Sequence, residues 1–384
     1  MVIVYLYSAL TTFGGADRVV TEKANYLADK LHHSVYIITD SQCGNKPVFP
    51  VSPNVNHIDL DNNFDEQYKY NLLRRFFCYR RLLKSYKEKL INLFKDIKPD
   101  IVISTCGREL EVLKYINRDI VKIGESHIAR PFVRNFHLLE QKSFIHCIVA
   151  KFWRKKQEKD IKQLDAFVVL TQHDATSWAN VKEAHIIPNS LPFTPKTHSE
   201  CNTKKIISVG RLDEQKGYER LIDAWAIIAN KYPEWQINIY GEGILYKQLS
   251  NKIIEKNLGK SIILHKPTKN IVEEYIGSSI YVMSSRFEGF GMVLIEAMIC
   301  GLPCISFNCP YGPSDIIQNG ENGFLVENGN IEKLASAIEE LIQNEPLRKQ
   351  MGKQAHISVQ KYSPDVIMKQ WDDLFHNLKA NKKA

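Results

Sequence analysis

The chain carries no C-x-x-C pair and no histidine at zinc spacing from a cysteine, so its eight cysteines do not read as a metal knuckle. They stand at 43, 78, 106, 147, 201, 300, 304 and 309, scattered through strand-like and helix-like patterns, which is the distribution of buried free thiols. No run approaches the ~18 apolar residues of a membrane span, and no low-complexity tract interrupts the chain. The amino terminus, MVIVYLYSALTTFGG, has neither a basic leader nor a small-residue cleavage site. Its apolar start reads as a buried first strand, and a cytoplasmic protein is expected. A disulfide framework would be out of place in such a protein.

What is present is an ordinary globular composition, 44% hydrophobic and 24% charged over 384 residues. That length exceeds what one hydrophobic core usually supports and favours two domains of roughly 150 to 200 residues. The formal charge of +8 is unevenly spread. Between Lys69 and Lys95 nine Lys or Arg residues face one acid, Glu88, while the rest of the chain is balanced.

The first half alternates short β-rich runs (VIVYLY, SVYIITD, VNHIDL, DIVISTC, VKIGES, DAFVVLT, HIIPN) with helical patterns. Near-continuous apolar strands separated by helices predict a parallel sheet covered on both faces, a doubly wound α/β domain. Residues 188–204, with three prolines and no period, read as a linker. The rhythm then restarts with KKIISVG, WQINIYG, SIILH, SIYVMSS and PCISF, predicting a second domain of the same design. The boundaries expected are 1–190 and 200–363. A last helix from Pro364 carries Trp371, Leu374 and Phe375 at helical spacing.

In open α/β sheets ligands sit beyond the carboxyl ends of the strands, where helix amino termini present free amides. Three such ends in the second half carry suggestive loops: SVGRLDEQKG with Arg211 and Lys216, IYGEG with Gly241 and Gly243, and SSRFEGFG with Glu288, Gly289, Phe290 and Gly291. Glu288 falls on the loop ahead of a helix that opens at Met292, and Glu296 falls more than one turn inside it. The glycines between let a diphosphate approach the backbone. The two carboxylates can then reach hydroxyls on either side, which suits a ligand with a sugar at each end of a diphosphate. Surface charge for Arg211 and Lys216, helix capping for Glu288 and a salt bridge for Glu296 are the plainer alternatives.

GRLDEQKG, IYGEG and EGFGMVLIE together resemble the retaining glycosyltransferases of the large GT4 group, and TTFGGADRV is similar to that group's glycine loop. The order of elements matches over nearly the whole chain. The resemblance implies a GT-B fold, two Rossmann-like domains facing a central cleft, with the helix 364–384 joining the amino-terminal, acceptor-binding domain. It also implies a role for each matching residue. Arg211 and Lys216 would neutralise the donor diphosphate, Glu296 would accept from ribose hydroxyls, Glu288 would hold the transferred sugar, and the Gly289 to Met292 backbone would line the pocket. Pro267 matches the region that packs the base. Gly14 and Gly15 would close over the donor phosphates and the acceptor hydroxyl, although G-x-G-x-x-G is absent. His127, in GESHIARP, resembles the histidine placed near the transferred sugar; a satisfied structural histidine is the alternative. His173 reads as structural. No D-x-D stands beside the candidate site, so neither a metal nor another cofactor is expected. The resemblance further implies that the departing phosphate takes the acceptor proton.

CPYGPSDII is similar to a subset of the group that uses UDP-hexoses or UDP-N-acetylhexosamines to build bacterial surface polysaccharides, often on polyprenyl diphosphate. The basic segment YKYNLLRRFFCYRRLLKSYKEKLINLF, with Arg74, Arg75, Arg80 and Arg81, reads as an amphipathic helix for an anionic membrane surface or a lipid-linked acceptor, and KFWRKKQEK strengthens that reading. A solvated helix face is the alternative. No nucleic-acid module accompanies the charge, so no nucleic-acid partner is expected. The expectation is a peripheral enzyme at the inner face of the membrane, with a non-hydrolysing UDP-sugar 2-epimerase or a non-catalytic sugar-nucleotide binding protein as the rival readings.

Overall fold

The structure, a computed structural model, describes residues 1–12, 14–135, 140 and 144–383. The chain divides into two compact units, Met1–Ser190 together with Pro364–Ala384, and Leu191–Ser363.

In the first unit the described strands are β1 (Val2–Tyr7), β2 (Ser34–Thr39), β3 (Val55–Asp59), β4 (Ile101–Ser104), β5 (Val121–Glu125), β6 (Ala166–Val169) and β7 (His185–Ile186). They form one sheet in the order β3-β2-β1-β4-β5-β6-β7, every pairing parallel. The interior strands β4, β5 and β6 are buried along their whole length, as a sheet covered by helices on both faces requires. One face packs Val4, Leu6, Val102 and Phe167 against Tyr86, Leu90 and Phe94 of the long helix Leu72–Ile97.

The second unit has β8 (Lys205–Val209), β9 (Gln236–Tyr240), β10 (Ile262–His265), β11 (Ile280–Met283), β12 (Cys304–Phe307) and β13 (Gly323–Val326), ordered β10-β9-β8-β11-β12-β13 and again parallel throughout. Residues 191–199 belong to this unit: the Leu191 amide donates to the Tyr362 carbonyl and the Ser199 amide to the Cys300 carbonyl, each at 2.8 Å. Both sheets thus have the doubly wound topology of a Rossmann-like domain. In each, the first strand lies between the second and the fourth, so the connections of the two halves of the sheet lie on opposite faces and leave a crevice at β1/β4 and at β8/β11.

Of the eight cysteines, Cys43 is exposed and Cys147 half-buried, and the other six are buried; all are free thiols. Among the described residues no helix is long and apolar enough to cross a membrane.

Candidate active site

The loop after β8 and the loop after β11 meet at the switch point of the second sheet. The chain leaves β8 through Gly210, φ +154°, and enters the helix Tyr218–Ile228 at Gly217, φ +60°. A Cβ at Gly217 would press on the Ser284 carbonyl, so the two loops approach more closely than a side chain there permits. Lys216, whose amide donates to Asp213 Oδ1 at 3.2 Å, directs its Nζ to Glu288 Oε1 at 2.7 Å. Ser285 Oγ donates to the same oxygen at 2.6 Å. Gln215 ties the loops again, its side chain donating to the Phe287 carbonyl at 3.1 Å and its carbonyl accepting from the Arg286 amide at 2.7 Å.

Lys216 and Glu288 are 14% and 7% exposed. A pair this enclosed has lost most of its hydration, and its cation and carboxylate act in a medium of low dielectric. Arg211 contrasts with it. At 70% side-chain exposure it reaches Asp213 at 3.1 Å and Gln215 at 3.2 Å, so it stands at the rim of the same loop.

The third loop, after β9, joins this assembly through backbone. The Leu212 amide donates to the Glu242 carbonyl at 2.8 Å and the Leu245 amide to the Leu212 carbonyl at 3.0 Å. A Cβ at Gly241 would collide with the Gly210 carbonyl and one at Gly243 with Leu212. These two glycines therefore have a packing reason independent of any ligand. The helix after this loop, Tyr246–Glu255, starts three residues beyond Gly243.

Gly291, φ +99°, stands at the N-cap of the helix Met292–Ile299 and supplies it no side-chain cap. Phe290 turns inward against Tyr362, ring centroids 5.5 Å apart. The CPYGPSDII segment closes on the same loop: the Glu288 amide donates to the Pro310 carbonyl at 3.2 Å, and Gly312, φ +108°, lies where a Cβ would strike the Phe290 carbonyl. Glu296, buried in the helix, accepts from Tyr275 Oη at 3.2 Å. Burial and the neighbouring Glu296 push the Tyr275 phenol far up, so it stays a neutral donor. Pro267 is exposed in the segment after β10. Nearby, the His265 and Tyr240 rings stack at 4.4 Å, with Tyr240 Oη donating to Glu274 at 2.6 Å; that stacked pair was not foreseen in the sequence.

In the first unit, Gly14 precedes the helix Gly15–Asp29. Asp17 gathers the loop by accepting from the Thr12 amide at 2.8 Å, Thr12 Oγ1 at 3.0 Å and Tyr7 Oη at 2.7 Å. Among the described residues, a Cβ at Gly15 meets nothing within 4 Å. Phe13 of this loop lies outside the described residues. His127 follows β5 with its side chain 8% exposed and Nε2 3.4 Å from Glu125 Oε1.

The basic helix Leu72–Ile97 is divided along its length. Cys78, Leu82, Tyr86, Leu90 and Phe94 face the core, while Leu73, Phe76 and Phe77 are exposed in its first turns beside Arg74, Arg80 and Arg81. Arg75 lies over the Tyr68 ring at 4.3 Å. The helix Phe144–Lys162 exposes Phe144, Ile148 and Phe152 at four-residue spacing. The two helices meet where Tyr79 and Trp153 pack edge to face at 6.0 Å.

Two Rossmann-like units, one with a cation–carboxylate pair at its switch point, give the fold and the candidate site, and comparison with known proteins gives the family. Residues 193–357 match the family model of glycosyl transferases group 1. An uncharacterized glycosyltransferase of Haemophilus influenzae is 30% identical over 364 residues, covering 93% of this chain and 95% of the relative. The amylovoran biosynthesis glycosyltransferase AmsD of Erwinia amylovora is 27% identical over 97% of this chain and 99% of its own length. Among solved structures, S. aureus TarM, crystallised with fondaparinux, alpha-GlcNAc-glycerol and UDP, superposes with a TM-score of 0.78 at 19% identity, over 97% of this chain and 99% of that one. The chain belongs to the glycosyl transferases group 1 family, has the GT-B type of fold and is a glycosyltransferase. The epimerase and the non-catalytic readings are thereby set aside.

Proposed function

We propose that the protein is a retaining, metal-independent glycosyltransferase of bacterial surface-polysaccharide synthesis. It moves a hexose or N-acetylhexosamine from a UDP-linked donor to a membrane-proximal acceptor carried on a polyprenyl diphosphate. The observation that carries the reading is the enclosed Lys216–Glu288 pair at the β8/β11 switch point. A fixed cation there stabilises the charge that grows on the leaving diphosphate, where such preorganised groups are worth most. Glu288, with Oε1 held by Lys216 and Ser285, offers its other oxygen to hydroxyls of the transferred sugar. Arg211 meets the diphosphate from the rim, the Gly289 to Met292 backbone lines the pocket, and Glu296 accepts from the ribose. Gly241 shapes the neighbouring loop, and Pro267 flanks the base. Gly14 and Gly15 face the donor phosphates and acceptor hydroxyl, and His127 serves the transferred sugar. Same-face attack, with the departing phosphate taking the acceptor proton, gives retention and uses no metal.

The donor reading is supported by UDP in the TarM crystals, and the pathway by the amylovoran role in the name of the Erwinia relative. The anionic membrane surface is supported by the exposed Leu73, Phe76, Phe77, Phe144, Ile148 and Phe152 flanked by arginines. The test is a thermal-shift screen of UDP- and GDP-sugars in EDTA, since a ligand of the folded form raises its apparent stability, followed by measurement of nucleotide release. A shift with UDP-sugars and turnover in EDTA are expected. A shift with GDP but not UDP reverses the donor, and turnover restored only by added divalent metal removes the metal-independent mechanism.

A further inference from the structure

The first unit buries a charge cluster that the roles above leave unused. Lys23, from the helix Gly15–Asp29, donates to Glu125 Oε1 at the end of β5 at 2.6 Å, with both side chains at most 2% exposed. The ammonium lies 3.5 Å from the ring centroid of Trp371 on the helix Pro364–Lys383 and 5.8 Å from that of Tyr5 on β1. Taking both charges out of water costs more than their attraction commonly returns, and an apolar pair of the same volume would serve the fold as well. Stability alone therefore does not account for the pair.

Its neighbour supplies a reason. His127 Nε2 stands 3.4 Å from the same Oε1. Among the described residues, both ring nitrogens of His127 and Oε2 of Glu125 are buried without a hydrogen-bond partner. Buried polar atoms are nearly always paired, so three orphans in one place mark a site completed by something polar.

We propose that the Lys23–Glu125 ion pair is a positioning device for His127, selecting the tautomer with the proton on Nε2 and leaving Nδ1 to accept from a ligand hydroxyl. A neutral imidazole carries one N–H and one acceptor nitrogen. An ionised carboxylate only accepts, so the nitrogen that faces Glu125 is the one that carries hydrogen. The ionisation states agree. Burial, which outweighs the pull of Glu125, holds His127 below its ordinary value, so it is neutral at pH 7. Burial opposes ionisation of Glu125, but the Lys23 ammonium, by its charge and its hydrogen bond, holds the carboxyl below the usual carboxylate range. Lys23 is pushed down to about 8 by burial, against Glu125, and still carries its proton at neutral pH. Tyr5, raised by burial and by Glu125, stays neutral. The group received at Nδ1 is then a hydroxyl donor, which is the chemistry of a sugar.

The inference rests on the proposed place of His127 at the transferred sugar, and the experiment separates the two. Full-length protein labelled with ¹⁵N-histidine is examined by two-bond ¹⁵N–¹H correlation at pH 7.5, with the His127 signals identified by their loss in His127→Asn. The neutral Nε2–H pattern is expected in the wild type. The double variant Lys23→Met/Glu125→Leu removes both charges together; a shift toward the Nδ1–H form is expected, with kcat for UDP release from UDP-N-acetylglucosamine or UDP-glucose falling tenfold or more while the thermal midpoint holds. An Nδ1–H or imidazolium pattern in the wild type overturns the inference, as does an unchanged tautomer in the double variant. Undiminished UDP release by His127→Asn instead overturns the sugar-binding role of His127 and leaves the tautomer result standing.

Discussion

Lys216 and Glu288 are 72 residues apart in the chain and form an ion pair of 2.7 Å, each carried on a loop at the carboxyl end of a strand adjacent to the switch point of the second sheet. Removing one partner strands the other in a nearly dry site, whereas removing both does not. Lys216→Ala is therefore expected to lower stability by about 2 to 4 kcal/mol, somewhat less than a fully buried pair. Lys216→Ala/Glu288→Ala is expected to recover much of that loss. Turnover should behave oppositely, falling about 10² to 10³-fold in the single variant and no less in the double. Urea denaturation and UDP-release assays read the two quantities. A double variant that regains activity with its stability would reduce the pair to scaffolding.

Glycine substitutions separate packing from ligand approach. Gly15 opens a helix and no described residue stands within 4 Å of its Cβ position, so Gly15→Ala is expected to leave stability unchanged or to raise it by up to about 1 kcal/mol. If the loop admits phosphates, the same methyl lowers turnover. Gly312→Ala places a methyl against the Phe290 carbonyl at φ +108° and is expected to unfold more readily. Equal activity in Gly15→Ala and wild type, at saturating and at limiting donor, would remove that glycine from the site.

Asp40 gives a pH signature in the first unit. It is buried, accepts from Ser41 Oγ at 2.6 Å and lies 3.8 Å from Arg108. Burial, partly offset by Arg108 and Ser41, pushes its carboxyl up to about 7. The unfolded chain ionises this group near 4. Between these values the folded form holds the extra proton, so its contribution to stability falls as pH rises from about 4 to about 7. Asp40→Asn removes the titration. Its denaturation midpoint relative to wild type should therefore climb between pH 5 and pH 7.5, and a difference that stays flat across that range contradicts the assignment.

The fold was legible because the strands announce themselves. VIVYLY, DIVISTC and SIYVMSS are continuous apolar runs bounded by turn signals, as doubly covered parallel strands must be. All seven described strands of the first sheet fall in runs read that way. The edge strand β13, Gly323–Val326, was missed, because four residues between two polar loops carry too little pattern. The contact between Lys216 and Glu288 was approached through motif order, not through spacing. Lys23 and Glu125 were not read at all. In TEKANYLADKL a lysine looks like the wet side of a helix, and only the fold brings it to a carboxylate 102 residues away. Composition likewise showed the long basic helix but not its division, because which aromatics find the core depends on where the sheet ends.

That division makes the membrane proposal testable residue by residue. Arg74, Arg75, Arg80 and Arg81 accompany the exposed Leu73, Phe76 and Phe77, and the neighbouring helix adds Phe144, Ile148 and Phe152. Near an anionic leaflet each basic side chain contributes about 1 kcal/mol. The quadruple alanine variant should then lose up to about 4 kcal/mol, roughly a thousandfold in partitioning. The wild-type interaction should weaken as salt shortens the Debye length. Phe77→Asp and Phe152→Asp remove the apolar contribution while keeping the arginines, and should weaken binding without abolishing its salt dependence. Co-sedimentation with phosphatidylglycerol-containing and purely phosphatidylcholine vesicles reads all three effects. Binding that is equal on both vesicle types, or unchanged in the quadruple variant, means that these helices face water or another partner instead.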